Sequence, residues 1–285
     1  MTSAVKAFCS RTYSVRHTMS REREYDKADD RITRRYEEQA LFKDKNKEEF
    51  RVIEEVFDRL TLKGMLKLFT GGTINELHGV VNAGKEARVY FALDKEGREL
   101  AIKIYYTHTA EFRKGMMQYI HGDPRFKRIR KNTRSMIYTW NQKEFNNLQL
   151  CEEAGVNSPR PYRFIRNILV MEFIGEDGIP APLLREMDPE DPQAFYDQVT
   201  VEMQLMWQKA GIAHGDLSEY NIMVHEGKPV IFDVSQAMLT IHPMAEPLIE
   251  RDIQNVNYFF RRKGAQVRDP EELKEWITGG TEDLY

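Results

Sequence analysis

The sequence predicts an α+β fold in two parts: an antiparallel sheet with one helix in the N-terminal half, and a mostly helical C-terminal half, preceded by a helical extension. Three observations carry this expectation. Short period-two segments split by glycine or charged turns occupy residues 79–105, a helical stripe follows from about residue 136, and helical apolar spacing recurs around Phe195–Met206 and Asn255–Phe260. With 285 residues, 41% of them hydrophobic, the chain can bury a sizeable core. The expected divisions are a charged arm over 1–49, helices and the sheet over 50–170, and a connector with the helical part over 171–285.

Charge and cysteine usage narrow the classes. Charged residues make up 31% of the chain yet nearly cancel, to −3, so overall charge predicts neither nucleic-acid nor membrane binding. Cys9 and Cys151 have no metal-ligand spacing and read as reduced thiols of a cytoplasmic protein. There is no apolar leader at the amino terminus and no run near the roughly 20 apolar residues of a membrane span, which points to a soluble protein without a membrane partner.

Taken in order, residues 16–51 alternate acidic and basic groups, the pattern of a solvated arm. Ile53, Val56, Phe57, Leu60, Leu62, Met65, Leu66 and Leu68 then show helical spacing up to Gly71-Gly72. Gly79-Val-Val-Asn-Ala-Gly84-Lys85 has the G-x-x-x-x-G-K spacing of a phosphate loop. Glu86 stands where a Ser or Thr hydroxyl would be needed, and Ala87–Leu93 reads as a strand, not a helix. The segment is instead a strand, turn and strand, in which Gly84 lets backbone approach a phosphate, Lys85 is a local cation and Val89 packs on a base. An ordinary hairpin turn has the same composition. Leu100–Tyr105 alternates, placing Ala101, Lys103 and Tyr105 on one face.

Between Tyr106 and Thr139 the sequence reads as a long basic insert, with Arg113, Lys114, Arg125, Lys127, Arg128, Arg130, Lys131 and Arg134 against Glu111 and Asp123. Such a loop suggests RNA or an acidic partner, or a solvated charge run. In the helix that follows, Glu144 falls on the stripe of Trp140, Leu148 and Cys151. A glutamate facing inward is costly unless paired, so a pairing with Lys103 is expected. Asn167–Gly175 reads as a buried strand ending in a connector, and Phe195, Val199, Met203 and Met206 as core helix.

His214-Gly-Asp-Leu-Ser-Glu-Tyr-Asn221, an apolar hairpin and then Ile231-Phe-Asp233 carry the chemistry. The Asp216–Asn221 interval equals that of the kinase catalytic loop H-R-D-x-x-x-x-N. Asp216 can accept or orient a hydroxyl proton, while the Asn221 amide oxygen and the Asp233 carboxylate are hard donors suited to Mg2+ on nucleotide phosphates. Lys103, on a strand of V-A-I-K form, is suited to the α and β phosphates.

Together these residues resemble the RIO family of atypical serine/threonine protein kinases, most closely its first subgroup in a minimal form. The carriers are Gly84-Lys-Glu-Ala87, Ala101-Ile-Lys103-Ile-Tyr105, Lys143-Glu144, Met171-Glu-Phe-Ile-Gly175, the 214–221 segment, Asp233-Val-Ser-Gln236, and Arg251-Asp252 with Asn255. The resemblance covers roughly Phe50–Lys263 and implies a trimmed two-lobed kinase-like fold. It also implies use of ATP with Mg2+, or Mn2+ in its place, autophosphorylation or ATPase activity, and a role in maturing the small ribosomal subunit. Its implied site comprises Lys103, Glu144, Asp216 and Asp233 as catalytic residues, with Asn221 and Asp233 on the metal. Around the nucleotide it implies Gly84, Lys85, Val89, Ala101, Met171, Glu172, Ile174, Ser218 and Glu219, the Glu172 and Ile174 backbone reading adenine. Asp233 also becomes a candidate aspartyl phosphate.

Departures from ordinary protein kinases matter. Ser218 stands where they usually have lysine, Asp233-Val-Ser replaces Asp-Phe-Gly, and neither G-x-G-x-x-G nor A-P-E is present. These favour a slow ATPase switch over phosphorylation of proteins in trans. Two other readings share part of the motif set: a small-molecule phosphotransferase of the aminoglycoside or choline kinase type, and a non-catalytic ATP-binding assembly factor.

Overall fold

The computed structural model describes residues 58–107, 110–126 and 132–279, with side chains for all of these except 110–114. The expected arm over 1–49, Ile53, Val56, Phe57 and Cys9 lie outside the described residues. Helix α1 (Arg59–Thr70) buries Met65 and Leu68. A Cβ on Gly64 would come within 2.8 Å of Ile168 Cδ1, so the absence of a side chain there lets α1 lie directly on the sheet.

That sheet has five strands, β1 (Glu76–Ala83), β2 (Ala87–Leu93), β3 (Glu99–Tyr105), β4 (Pro161–Ile165) and β5 (Ile168–Glu172). Their order is β1-β2-β3-β5-β4, with every neighbouring pair antiparallel. Register fixes what faces what: Lys103 lies opposite Val89 on one side and Leu169 on the other, and Ala101 opposite Phe91 and Met171. Both faces of β3 are covered, since Tyr105 is 2% exposed and Ile102 fully buried.

The long basic insert contains a helix. Helix α2 (Ala110–Ile120) occupies its first half, and Met116 and Ile120 pack into a cluster with Ala87, Tyr105, Ile137 and Trp140. A connection of this length inside a packed domain gains stability by burying an apolar face of its own. Arg125, counted above with the solvent-facing cations, turns inward: its side chain is 9% exposed and forks onto Asp123 at 2.7 Å. Lys127, Arg128, Arg130 and Lys131 lie outside the described residues.

Helix α3 (Thr133–Ala154) begins earlier than its apolar stripe, because the Asn132 side chain caps it by accepting the Ser135 amide at 2.8 Å. It stops at Gly155, whose left-handed φ of 76° suits the residue that closes a helix. Phe145 packs on Phe164 with ring centroids 4.9 Å apart, and the Asn141 amide donates to Arg166 O and Ile168 O, so α3 is fixed on the sheet by both apolar and polar contacts.

Beyond the connector lie the short strands β6 (Gly175–Glu176) and β7 (Ile179–Pro180), then helix α4 (Pro192–Leu205), capped by Asp191 and continued by a wider turn over Met206–Ala210. Strands β8 (Ile212–Ala213), β9 (Ile222–His225), β10 (Lys228–Ile231) and β11 (Met238–Leu239) follow. β9 pairs with β10, and β8 with β11. Helices α5 (Ala245–Arg262) and α6 (Pro270–Thr278) complete the helical lobe. Its core is aromatic: Tyr196 and Phe259 each meet the Phe260 ring edge-on, and Phe195 stacks on it. Burying each of these side chains stabilises the lobe by about 1.5–3 kcal/mol. The architecture is the two-lobed, kinase-like α+β fold expected from the sequence.

Candidate active site

Lys103 leaves β3 with its ammonium between two carboxylates, 2.6 Å from Glu144 Oε1 and 3.0 Å from Asp233 Oδ1. The pairing expected from the helical stripe is thus present. Glu144 is 1% exposed, and its other oxygen accepts the Tyr105 hydroxyl. Burial disfavours the Lys103 cation, but Asp233 and Glu144 outweigh it and hold its pKa well above the usual range. Burial likewise acts against the Asp233 carboxylate, yet Lys103 holds it below its ordinary value, helped by Ser235 Oγ at 2.9 Å. Asp233 is an anion, and it adopts a left-handed φ of 57°.

The 214–221 loop is tied to the same place through its backbone. Asn221 Nδ2 donates to Asp216 O at 2.7 Å, and Asn221 O accepts the Phe232 amide at 3.1 Å, so the β9–β10 hairpin returns the chain to Asp233 beside Asn221. His214 Nδ1 accepts the Asp216 amide at 3.3 Å, leaving Nε2 as the protonated nitrogen that donates to Phe232 O at 3.0 Å. Burial depresses the His214 pKa, so this imidazole is a neutral spacer. From beneath, the fully buried Asp252 of α5 accepts the Gly215 amide at 2.7 Å and the Leu217 amide at 2.8 Å. Burial pushes its carboxyl up to about 7, against those two donors. Asn255 Nδ2 adds a bond to Leu217 O at 3.0 Å.

Asp216 projects from this braced loop with Gln236 Nε2 2.9 Å from its Oδ2. Partial burial raises its pKa; His214 and Arg251 oppose the shift. Glu86 reports the field of the cluster from the other side. Though its side chain stays solvent-exposed, it is pushed up to about 7, first by desolvation and then by Asp233, with Lys103 opposing.

The remaining expected residues line the edges. Gly84 and Lys85 sit at the exposed β1–β2 turn, closed by the Gly84 amide on Ala87 O at 3.0 Å; no bond among the described residues ties Lys85 to the carboxylates. Val89 and Ala101 lie on β2 and β3 beside Lys103, with Met171 across from Ala101. The Glu172 amide donates to Arg160 O at 2.8 Å, and Ile174 O accepts the Ala181 amide at 2.9 Å. Gly175 turns the connector: a Cβ there would lie 2.2 Å from Ile179 O. Ser218 and Glu219 are half-buried in the loop before Asn221, the Ser218 carbonyl accepting the Asn221 amide at 2.9 Å.

Several members of the cluster were not assigned a role from sequence. Lys143 and Asn147, both fully buried on α3, donate to carbonyls of the Asp233 loop. Tyr105, Gln236 and Asp252 complete the second layer. The one signal available for Lys143 and Asn147 was their i, i+4 spacing beside Glu144.

The donor set suits a hard divalent ion. Asn221 is fixed through its Nδ2, which turns Oδ1 the other way, and Lys103 and Ser235 both engage Oδ1 of Asp233; no hydrogen bond among the described residues reaches Asn221 Oδ1 or Asp233 Oδ2. No cluster of three His, Cys, Asp or Glu able to hold a metal exists among the described residues. Two protein oxygens with remaining positions left to phosphate and water is the arrangement Mg2+ favours.

Comparison with known proteins agrees with this chemistry. A RIO-domain family model matches residues 88–273. Over 253 residues the chain is 40% identical to the RIO-type serine/threonine-protein kinase Rio1 of Haloferax volcanii, covering 88% of this chain and 86% of that one. It is 38% identical to Rio1 of Methanocaldococcus jannaschii over 256 residues, covering 89% and 87%. A solved Rio2 kinase of Chaetomium thermophilum, in an ADP/Mg2+-phosphoaspartate complex, shares the fold with a TM-score of 0.58 at 20% identity over 78% of this chain and 67% of that one. A lysine held between two carboxylates, above a loop with kinase spacing, thus occurs in a chain that belongs to the RIO family of atypical serine/threonine protein kinases, among its Rio1-type members.

Proposed function

We propose that this chain binds ATP with Mg2+ in the cleft around Lys103, transfers the γ-phosphoryl group to serine or threonine hydroxyls, its own included, or to water, and does so on the pre-small-ribosomal-subunit particle. The observation that carries the reading is the Lys103 cation fixed between Glu144 and Asp233, next to a loop presenting Asp216 and Asn221. Five charged or polar groups brought together and held by buried supports are what a phosphoryl transfer dominated by positioning and electrostatics requires.

In this reading Lys103 meets the α and β phosphates, and the backbone of Glu172 and Ile174 reads the adenine edge between Val89, Ala101 and Met171. Gly84 and Lys85 cover the phosphates, with Ser218 and Glu219 on the opposite wall. Asn221 Oδ1 and Asp233 Oδ2 would hold Mg2+, which when bound neutralises charge on the phosphate oxygens. Asp216 accepts the proton of the attacking hydroxyl as its oxygen bonds to the γ phosphorus and the bond to the departing ADP oxygen breaks. The same cleft supports an alternative first step in which Asp233 itself takes the phosphoryl group and water later removes it. The phosphoaspartate complex of the Chaetomium Rio2 kinase makes this chemically credible for the fold.

The cations of the 106–139 insert other than Arg125 support a ribosomal partner. ATP-dependent co-sedimentation with small ribosomal subunits tests it. Binding that depends on nucleotide and is altered by Asp233→Ala is expected; equal sedimentation with and without ATP would contradict the partner assignment.

The pH dependence follows from Asp216. A base works only when deprotonated, and its pKa is raised, so transfer is lost as pH falls through a value above the ordinary aspartate value of about 3.9. The Gln236 amide favours the charged form, so Gln236→Leu is expected to move this acidic limb to still higher pH. Measuring kcat/KM against pH in a Glu86→Gln background keeps the Glu86 titration out of the curve. An unmoved limb would remove Asp216 as the base.

A further inference from the structure

Asp233 adopts a left-handed backbone conformation, which aspartate and asparagine tolerate better than other non-glycine residues, and the loop that follows it is braced from outside. Lys103 holds the Asp233 side chain and His214 and Asn221 hold Phe232, while the carbonyls that follow Asp233 are held from one helix. Lys143 Nζ donates to Ser235 O at 2.8 Å and also to Ala237 O; Asn147 Nδ2, one turn further along α3, donates to Val234 O at 2.7 Å and Ala237 O at 3.1 Å. Both side chains are fully buried. Burial presses Lys143 well below the usual lysine range, the cost of taking its amine out of water. Glu144, between them in sequence, fixes Lys103. One helix therefore sets both ends of the Lys103–Asp233 ion pair.

The strut continues outward. Asn147 Oδ1 accepts Arg125 Nη1 at 2.8 Å, and Arg125 is itself locked by Asp123, so the turn after α2 in the basic insert is joined to the Asp233 loop through a single amide. A second contact holds the same turn: His242 Nε2 lies 3.1 Å from His121 O, against the left-handed Gly122.

We infer that Lys143 and Asn147, with Arg125 behind them, are positioning residues that aim the Asp233 carboxylate by holding the loop carbonyls in place of a packed apolar side chain. The inference rests on the proposed role of Asp233 in holding a divalent ion, and it makes the insert turn a mechanical support of the site. Supports of this kind, one layer behind a metal ligand, typically change metal affinity by about 10- to 100-fold when removed.

The test uses the full chain with ADP and Mn2+ as probe. Mn2+ affinity is read by electron paramagnetic resonance, ADP affinity without metal by calorimetry, and amide exchange at Ala237 by mass spectrometry or NMR. Asn147→Leu and Lys143→Met are expected to weaken Mn2+ by about 10- to 100-fold and to accelerate exchange at Ala237. ADP affinity without metal should stay within about threefold. Arg125→Gln, further from the core, should shift Mn2+ affinity in the same direction and add nothing to Asn147→Leu, and it decides the matter if the buried variants do not fold. Unchanged Mn2+ affinity and exchange in the folded variants, or additive effects of Arg125→Gln and Asn147→Leu, would overturn the inference. Failure of the parent to bind Mn2+ with ADP would instead remove the metal role of Asp233, a separate result.

Discussion

Asp233→Asn is expected to lower phosphoryl transfer by about a thousandfold or more while leaving the fold intact. Asparagine is among the residues that best tolerate left-handed backbone, so the φ of 57° is kept. Lys103 keeps Glu144 at 2.6 Å and remains charged. What disappears is one negative charge facing the phosphates, and with it most of the attraction for the divalent ion. Several kcal/mol of lost charge stabilisation corresponds to about three decades in rate. Single-turnover transfer from γ-labelled ATP, alongside thermal melting, separates the readings. If Asp233 merely balances Lys103, activity would stay within about tenfold of the parent and melting would shift instead.

Glu144→Ala carries the second large effect, and here stability falls with activity. The side chain is 1% exposed and receives both Lys103 and the Tyr105 hydroxyl, so its removal takes one charged acceptor away from each of two buried donors. Breaking a buried pair from one side costs about 3 kcal/mol or more. The loss should sit at the lower end, because Asp233 remains 3.0 Å from Lys103. That residual pair is also why activity falls: an ammonium no longer drawn toward α3 settles on the carboxylate that the divalent ion needs. Misplacement by about 1 Å can cost on the order of a hundredfold. Glu144→Gln, which keeps the acceptor oxygen, should recover most of the stability and only part of the rate. Chemical denaturation and turnover of the three proteins measure both.

The central residues were legible because each stands in a local pattern with a physical meaning. Alternation put Lys103 on a strand, the 3.6-residue stripe turned Glu144 inward, and the interval from Asp216 to Asn221 matched a known loop. Their mutual pairing followed from the cost of burying a lone charge. Their supports were harder to read. Lys143 is a buried lysine whose acceptors are carbonyls about 90 residues away, and carbonyl positions leave no trace in residue type. Asp252 reaches back to amides of Gly215 and Leu217 in the same way. Arg125 was grouped with the other cations of the insert because residue type alone does not show that Asp123, two residues back, and Asn147, on another helix, draw it inward. The helix over Ala110–Ile120 was hidden by Glu111, Arg113, Lys114 and Gly115 in its first half, and packing against Trp140 and Tyr105 reveals its buried face.

The Lys103, Asp216, Asn221 and Asp233 cleft is expected to perform Mg2+-dependent phosphoryl transfer from ATP. Incubation of the full chain with γ-labelled ATP and Mg2+, followed by counting both released phosphate and label on protein, measures it directly when the parent is set beside Asp216→Ala. Transfer or hydrolysis by the parent is expected, with a loss of about 10²- to 10⁴-fold in the variant and ATP binding retained. Phosphate release and labelling that are absent from the parent, or identical in the two proteins, would contradict it.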